Sequence, residues 1–471
     1  MKARKTSRTL PVHPVRPVPP VRPQAAPGNR HYTVVCSACG ARYEDDGLML
    51  DCAVPHEPAL LRTEYLGHDG PVTSDGWADA VGPTVTGLFR HTFSLPVTRT
   101  FPGVPGPVVY HADRLGRRIG LSRLWVAFNG YWPQRGAWLP TCTFKDLEAY
   151  TVLGRLPADP PALVIPSAGN TAAAFAWAAS LHQVPCLIVV PAPALDGLRF
   201  PAPLDPRVRV VVLDGRATYS DAIVCAESLA RMPGHVAEGG CRNVGRRDGL
   251  GSVMLTAVEA IGRLPRTYVQ AVGSGTGAIG AHETARRIRT DDEPPPRLLM
   301  CQNTPFAPLF EAWRTGGPAP AEREHEPLAR ELTNRRPPFL VRGGVREVLT
   351  ESGGDVLRAD NAATLAAMAL FEETEGIDIE PGAGVALAAL ADAVRAGRVD
   401  RDELVLLNIT GGGRARRAQD LPLVPADPWL RVPWFTDGTG PSVVAAQVGH
   451  LLPPPQSRSV QAPEPDLAEH R

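Results

Sequence analysis

From about residue 106 onward, short runs of valine, leucine and isoleucine alternate with longer segments of mixed apolar and polar residues. The short runs have the length of buried strands, and the segments between them have the length and composition of helices. Strands that alternate with helices predict parallel α/β sheets, and the length of the chain predicts two of them. The predicted strands are residues 107–110, 124–128, 162–166, 186–191, 208–213, 267–272, 298–302 and 404–409. The predicted helices are residues 171–182, 219–231, 252–263, 278–288, 361–373 and 384–396.

The two ends of the chain differ from this alternating body. Residues 1–30 are basic and proline-rich, and residues 452–471 begin with LPPPQ, so both segments predict disordered tails. The first segment has no continuous apolar stretch and does not resemble a secretory signal. Apolar runs in the chain stay far below the roughly 18 residues that cross a membrane. The sequence therefore predicts no contact with a membrane.

Charge and cysteine content narrow the expected partners. The chain has 49 Lys and Arg residues and 49 Asp and Glu residues, so its formal net charge is zero. A neutral chain has no general attraction to nucleic acids or acidic membranes. Eight cysteines in 471 residues are too few for a disulfide scaffold, and we therefore expect a cytoplasmic protein that binds small molecules.

Lysine is almost absent from the body of the chain. Among the 49 basic residues only Lys2, Lys5 and Lys145 are lysines. An arginine stays protonated, whereas a lysine amine can lose its proton and condense with a carbonyl group. The segment TCTFKDLEAY of residues 141–150 predicts a helix start capped by a Thr or Asp side chain, where the helix dipole disfavours the ammonium form. Lys145 is the candidate nucleophile, whereas Cys142 has no histidine nearby and is expected to be a packed residue.

A turn of small residues predicts anion binding. The segment PSAGNT of residues 166–171 joins a predicted strand to an alanine-rich helix. Backbone N–H groups at such a turn can hold a carboxylate, and the Ser, Asn and Thr side chains add donors. An ordinary turn capped by Asn or Thr is the alternative. The candidate binding residues are Ser167, Ala168, Gly169, Asn170 and Thr171.

A glycine-rich loop, GSGTGAIG at residues 273–280, also lies between a predicted strand and a predicted helix. Glycines allow close approach of the backbone, and a helix N-terminus suits a phosphate group. Residues 275–280 match the dinucleotide pattern G-x-G-x-x-G, but the next strand ends in Cys-Gln-Asn at 301–303 and lacks the acid that binds ribose. The loop therefore predicts a phosphate monoester site. Its candidate residues are Gly273, Ser274, Gly275, Thr276 and Gly277.

A fourth motif, NITGGG at residues 408–413, takes a predicted strand into a glycine turn. The hydroxyl group of Thr410 would lie at the carboxyl end of this strand, where α/β proteins form their sites. A plain glycine turn is the alternative. Thr410 is therefore a candidate site residue.

The lysine, the Asn turn, the glycine loop and the Thr–Gly turn occur in this order on a doubly wound scaffold, and together they resemble the fold-type II pyridoxal-phosphate enzymes. The resemblance covers roughly residues 31–415. It implies two doubly wound α/β domains of the tryptophan synthase β type, with the cofactor in the cleft between them. We expect the larger domain to comprise residues 61–140 with 265–425 and the smaller one residues 141–264, preceded by a cysteine-containing segment, residues 31–60.

The same resemblance implies a role for each motif. Lys145 holds pyridoxal 5′-phosphate covalently and is the catalytic residue, and Asn170 bonds to the 3-hydroxyl group of the cofactor. Residues 167–171 hold the substrate carboxylate, and residues 273–277 cradle the cofactor phosphate. Thr410 faces the pyridine nitrogen as a neutral partner.

Within this group, residues 128–133, 141–149 and 301–308 resemble cysteate synthases, a threonine synthase-like family. That family makes L-cysteate and phosphate from O-phospho-L-serine and sulfite. The resemblance implies a pyridoxal-phosphate-dependent transferase or lyase of amino-acid biosynthesis, and a homo-oligomer of two or three chains. Arg135 and Arg414 are the candidates by position for binding the leaving phosphate.

Three other interpretations stay open. A threonine synthase, acting on O-phosphohomoserine and water, would share all the cofactor residues. A nicotinamide-dependent oxidoreductase would use residues 275–280, and the missing ribose-binding acid argues against it. A zinc-dependent interaction protein would use the cysteines near the N-terminus, and the long α/β body argues against that as the whole function.

Three of these cysteines, Cys36, Cys39 and Cys52, form half of a zinc-ribbon pattern, for which His56 could be a fourth ligand. A full ribbon would carry a second C-x2-C pair, and the sequence has none. We therefore expect a knuckle of the threonine synthase-like type that holds no metal, with these cysteines as the only metal candidates.

Overall fold

The computed structural model describes residues 24–25, 30–65, 86–290, 292–317, 326–335, 337–434 and 440–451. Most of the two predicted tails, residues 1–30 and 452–471, lies outside this part. The α-helices are α1 Asp113–Ile119, α2 Lys145–Arg155, α3 Asn170–His182, α4 Tyr219–Leu229, α5 Val244–Ile261, α6 Thr276–Ile288, α7 Pro308–Thr315, α8 Val345–Ser352, α9 Asn361–Glu375, α10 Pro381–Arg395, α11 Arg414–Asp420 and α12 Gly440–Leu451. Short 3₁₀ helices cover Leu88–Ser94, Pro133–Arg135, Ala192–Gly197, Gly240–Arg242 and Arg330–Leu332.

The strands are mostly short and apolar. In chain order they are β1 Gln24–Ala25, β2 Tyr32–Cys36, β3 Arg42–Tyr43, β4 Leu61–Tyr65, β5 Arg99–Thr100, β6 Val108–His111, β7 Leu124–Phe128, β8 Tyr131–Trp132, β9 Ala137–Trp138, β10 Ala162–Pro166, β11 Cys186–Pro191, β12 Arg199–Phe200, β13 Val208–Asp214, β14 His235–Ala237, β15 Thr267–Ala271, β16 Arg297–Asn303, β17 Asp355–Ala359, β18 Val405–Ile409, β19 Val424–Pro425 and β20 Leu430–Pro433.

Two parallel sheets dominate the described part of the chain. The first has six strands in the order β17-β16-β15-β18-β7-β6, and only its edge strand β6 runs antiparallel to its neighbour. The second has five strands in the order β14-β10-β11-β13-β20, all parallel. Their central strands are buried along most of their length, as expected of parallel sheets covered by helices on both faces. The predicted α/β class with two doubly wound sheets is confirmed.

The predicted strands of both sheets are confirmed to within a residue or two at each end. The predicted helix 252–263 is wrong at its start, because α5 begins at Val244. Its first turns contain Gly249 and Gly251, which a sequence pattern assigns to a loop. A Cβ atom on Gly249 would lie 2.6 Å from the carbonyl oxygen of Leu147, and one on Gly251 would lie 2.8 Å from that of Gly280. These glycines let α5 pack against α2 and α6 at backbone distance.

The N-terminal segment forms a small antiparallel sheet in the order β3-β2-β4. Its apolar residues pack with Val244 at the start of α5. The domain boundaries expected from the sequence stay a prediction. Among the described helices none combines the length and the apolar character that a membrane span requires.

Candidate active site

All four motifs singled out in the sequence line one cavity. It lies where β10, β15 and β18 end and α2, α3 and α6 begin. The lining includes every residue predicted to bind the cofactor or the substrate carboxylate: Lys145, Ser167, Ala168, Gly169, Asn170, Thr171, Gly273, Ser274, Gly275, Thr276, Gly277 and Thr410. Other lining residues, which the sequence did not single out, are Phe144, Tyr219, Arg246, Gln270, Ala271, Val272, Arg330, Glu331, Leu332, Thr333 and Asn334.

Lys145 is the first residue of α2 and is the only described lysine, because Lys2 and Lys5 lie outside the described residues. Its Nζ atom lies 3.1 Å from Oε2 of Glu148 and 5.0 Å from the ring centre of Phe144. The N-cap residue Phe144 has no side-chain cap, but the hydroxyl oxygen of Thr143 accepts a hydrogen bond from Lys145 N at 3.3 Å. The turn is also closed by Asp146, which accepts hydrogen bonds from the backbone and hydroxyl group of Thr141 at 2.9 and 2.8 Å. Burial raises the pKa of Asp146 to about 7 despite these two bonds.

Glu148 connects the lysine to the Asn turn. Its side chain is fully buried, and it accepts hydrogen bonds from Thr171 Oγ1 at 2.9 Å and from Arg246 Nη1 at 3.1 Å. Arg246 in turn donates through Nε to Glu238 at 2.7 Å. The carboxylates of Glu148 and Glu238 thus balance the positive charges of Lys145 and Arg246 beside the cavity. Buried charges are tolerated when they are paired in this way. This network fixes where the lysine side chain lies.

Sequence reasoning missed this network. Arg246 is separated from Glu148 by 98 residues, and a single sequence carries no signal for such a pair. Arg246 also lies in the glycine-containing start of α5, which the pattern assigned to a loop. A correct start of α5 would have placed Arg246 in the first turn of the helix.

The Asn turn is shaped by Ser167, whose hydroxyl oxygen accepts hydrogen bonds from the N–H groups of Gly169 and Ala172 at 3.1 and 3.0 Å. The first N–H groups of a helix have no intrahelical acceptor. Ser167 caps only part of them, so those of Asn170 and Thr171, the first two residues of α3, are placed at the cavity wall. The turn therefore has backbone donors that could bind an anion, and its role in holding the substrate carboxylate stays a prediction.

The side chain of Asn170 is held in place by two charged residues. Its Nδ2 donates to Glu380 at 2.8 Å, and its Oδ1 accepts from Arg414 Nη2 at 2.9 Å. Arg414 also pairs with Glu380. Arg414, expected to bind the leaving phosphate, thus contacts Asn170 itself. Arg135 lies outside the cavity lining and stacks over Tyr110, with 4.1 Å from its guanidinium carbon to the ring centre.

The glycine loop leads from β15 into α6. Gly275 caps the helix with a φ of +83°, and a Cβ atom there would lie 2.7 Å from Val345 Cγ2. A Cβ atom on Gly277 would lie 2.7 Å from Gln270 Nε2 and 2.9 Å from Phe144 Cε2. The absence of side chains therefore leaves the backbone N–H groups at the start of the 13-residue helix α6 open to a ligand. Such a cradle at a helix N-terminus fits a phosphate group.

Thr410 follows β18, and only 8% of its surface is exposed. Its carbonyl oxygen accepts a hydrogen bond from Phe144 N at 3.0 Å, which joins the strand end to the turn before Lys145. Glu331, across the cavity lining, has a pKa raised to about 7 by burial and by the nearby charge of Glu380.

Comparison with known proteins agrees with this geometry. The family model described as pyridoxal-phosphate dependent enzyme matches residues 120–411. The chain is 41% identical to the cysteate synthase of Methanoculleus marisnigri, over 85% of this chain and 93% of that protein. It is 38% identical to the cysteate synthase of Methanosarcina acetivorans, over 85% and 96%.

Solved structures agree on the fold. Maize serine racemase superposes with a TM-score of 0.53 at 18% identity, covering 66% of this chain and 90% of that one. The L-serine ammonia-lyase of Rhizomucor miehei gives 0.52 at 15% identity, covering 66% and 96%. These likenesses extend to the fold alone, whereas the matches in sequence establish the family. The chain belongs to the pyridoxal-phosphate-dependent enzymes and, within them, to the cysteate synthase family.

Proposed function

We propose that this protein converts O-phospho-L-serine and sulfite into L-cysteate and phosphate. The observation that carries the proposal is the arrangement of Lys145, the Asn turn, the glycine loop and Thr410 around one cavity, in a chain 37–41% identical to proteins named cysteate synthase. The reaction breaks the Cβ–O bond of the substrate and forms a Cβ–S bond. Hydrogen sulfite enters and hydrogen phosphate leaves, so atoms and charge balance.

The residues of the cavity fit pyridoxal phosphate. The cradle of Gly273–Gly277 and the N-terminus of α6 would hold its phosphate group. Lys145 supplies the amine that would link to it, and Asn170 and Thr410 would contact its ring substituent and ring nitrogen. When bound, the cofactor supplies an electron-accepting ring that stabilises negative charge at Cα of an amino acid.

The remaining steps belong to side chains of this protein. The backbone N–H groups of Asn170 and Thr171 would orient the substrate carboxylate. The amine of Lys145, once released, would take the proton from Cα and return it at the end of the reaction. Glu148, 3.1 Å from Nζ, would accept a hydrogen bond from the ammonium group formed. In this way Glu148 would keep the proton near Cα.

Product analysis tests the proposal. Purified protein with added pyridoxal phosphate is incubated with O-phospho-L-serine and sulfite, and in parallel with O-phosphohomoserine and water. We expect equimolar cysteate and phosphate in the first reaction only. Threonine in the second reaction, with no cysteate in the first, would contradict the proposal and favour a threonine synthase.

A homo-oligomer of two or three chains and a cytoplasmic location complete the proposal. The described cysteines are all free thiols, which supports a reducing compartment. Light scattering of the purified protein measures the number of chains in each particle, and a monomeric mass would contradict the proposed homo-oligomer.

We predict that Gly275→Val weakens binding of pyridoxal phosphate much more than it weakens the fold. The Cβ atom of valine would lie 2.7 Å from Val345 Cγ2 and the residue would have to adopt a φ of +83°, so the backbone of the cradle would shift away from the position that suits a phosphate group. Equilibrium titration with the cofactor measures the affinity. Gly262→Val is the matched control, because Gly262 has a φ of +82° with no atom near its Cβ position. An unchanged affinity in folded Gly275→Val would show that the loop does not hold the phosphate.

Thr410→Asp is expected to divert the reaction to side products. A carboxylate beside the pyridine nitrogen would favour its protonated form by charge pairing, and the ring would then withdraw electrons too strongly for clean replacement at Cβ. The ratio of cysteate to pyruvate and to transamination products measures this change. Thr410→Ser keeps a neutral hydroxyl group and should keep the wild-type ratio. An unchanged ratio in Thr410→Asp at full cofactor occupancy would remove Thr410 from the site.

A further inference from the structure

A second site lies in the N-terminal knuckle, the cysteine-containing segment of residues 31–60, outside the active-site cavity. The side chains of Cys36, Cys39, Cys52 and His56 point toward one another, and their four ligand atoms all lie within 4.8 Å. None of them lines the active-site cavity. The sequence favoured a knuckle that holds no metal, because the sequence has no second C-x2-C pair. The fold brings Cys52 and His56 close to Cys36 and Cys39, and these two residues take the place of the second pair.

The distances suit a tetrahedral zinc ion. Cys39 Sγ lies 3.7 Å from Cys52 Sγ. With Zn–S bonds of about 2.3 Å, two thiolates of a tetrahedral site are about 3.8 Å apart. Cys36 Sγ lies 3.1 Å from His56 Nε2, so a small outward movement would complete the coordination sphere.

Surrounding groups already orient the four ligands. His56 Nδ1 lies 2.5 Å from the carbonyl oxygen of Glu57, so the proton is on Nδ1 and Nε2 is free to bind a metal. The N–H groups of Ala38 and Val54 each approach a cysteine sulfur at 3.4 Å, and Tyr43 Oη lies 3.0 Å from Cys52 Sγ. Metal-binding histidines and thiolates are supported in this way by hydrogen bonds from outside the coordination sphere.

We propose that Cys36, Cys39, Cys52 and His56 bind one structural zinc ion. Four protein ligands close the coordination sphere and leave no position for a substrate, which is the mark of a structural rather than a catalytic zinc site. Three thiolates and a neutral imidazole select zinc over the hard cations magnesium and calcium.

The ion would stabilise a segment that has no regular secondary structure of its own. Residues 44–60, between β3 and β4, contain no helix and no regular strand. Yet this segment contacts α2, the helix that begins with Lys145. Asp45 and the carbonyl oxygen of Met49 each accept a hydrogen bond from Arg155 Nη2 at 2.7 Å, at the end of α2. Leu50 packs where a Cβ atom on Gly239 would otherwise lie. Zinc would thus hold in place the residues that contact Arg155 at the C-terminal end of α2, the helix that begins with Lys145.

The test measures metal in the full-length protein, purified in reducing buffer without chelators. Zinc and iron per chain are determined by plasma mass spectrometry and native mass spectrometry. We expect about one zinc ion per chain in the wild-type protein, and a loss of at least about tenfold in Cys39→Ser. Cys225→Ala is the matched control, since Cys225 is a buried cysteine of α4 remote from the knuckle, and it should retain the full zinc content.

A second measurement covers the case in which Cys39→Ser fails to fold. Wild-type protein is stripped of metal and titrated with Co²⁺, whose bound form with three thiolates should show strong thiolate charge-transfer absorption and the visible bands of a tetrahedral site. Chelation should also expose residues 44–60 to limited proteolysis, and zinc should restore protection. A wild-type protein that binds neither zinc nor cobalt, or that contains iron instead, would overturn the proposal.

Discussion

Replacing Lys145 with alanine is expected to abolish formation of cysteate while leaving the protein folded. Loss of a general base alone lowers turnover by about 10²- to 10⁴-fold, and this lysine would also lose its link to the cofactor. The fold should persist, because Glu148 keeps its hydrogen bonds from Thr171 and Arg246. Steady-state assays with phosphoserine and sulfite, together with circular dichroism, measure both effects.

The position of the link gives an independent test. Borohydride reduction of the wild-type protein should fix the cofactor on the peptide that contains Lys145, and reduction of Lys145→Ala should fix none. Lys145→Arg is the matched control, since it keeps the positive charge beside Glu148 but cannot condense with a carbonyl group, and it should be equally inactive. Cofactor found on Lys2 or Lys5, or turnover retained in Lys145→Ala, would contradict the assignment.

The variant Arg155→Met should lower the free energy of unfolding by about 3–5 kcal/mol, the usual cost of removing one partner from a buried ion pair. Arg155 contacts Asp45 through two hydrogen bonds of 2.7 and 2.8 Å, and both side chains are at most 1% exposed. Tyr32 donates a further bond of 2.6 Å to Asp45. Without the Arg155 guanidinium group, buried Asp45 would keep only the Tyr32 hydroxyl group, the N–H group of Gly47 at 3.1 Å and the partly exposed Arg30 at 3.1 Å. Chemical denaturation monitored by fluorescence measures the loss.

The double variant Asp45→Asn/Arg155→Met should recover part of this loss, because it no longer buries a carboxylate that has lost its bidentate partner. Arg398→Met is the surface control: Arg398 pairs with Asp392 at 3.2 Å, but both are largely exposed, so its loss should be much smaller. An Arg155→Met protein as stable as Arg398→Met would show that the pair contributes nothing.

The same pair predicts a dependence on pH. Burial opposes ionisation of Asp45, but the hydrogen bonds and charge of Arg155 outweigh it and hold the pKa of Asp45 below its ordinary value. Its contribution to stability is therefore present above the unfolded pKa of about 3.9, and it is lost as the pH falls through the lower pKa of the folded state.

The sequence predicted those features that depend on neighbouring residues. Runs of valine and leucine located the central strands, and glycines after β15 marked the loop at the start of α6, because both signals lie within one element. The lone Lys145 stood out by composition. The positions of these motifs in the cavity follow from parallel strands whose carboxyl ends meet at one edge.

Features that depend on distant contacts could not be predicted in the same way. The bond between Glu148 and Arg246 joins two helices far apart in sequence. Gly249 and Gly251 resemble loop residues until the helices packed against them are known. Likewise, the spacing named His56 as a possible fourth metal ligand but could not place it, because residues 44–60 bring His56 to Cys36 without regular secondary structure.

The position of β20 has a consequence for biosynthesis. This strand pairs with β13, although the strands β15 to β18 of the other sheet lie between them in sequence. During translation, β10, β11, β13 and β14 are therefore made long before their last partner emerges. Until then one edge of β13 has unpaired N–H and carbonyl groups, which are open to association with other chains. The five-stranded sheet can thus be completed only after all strands of the six-stranded sheet have been synthesised.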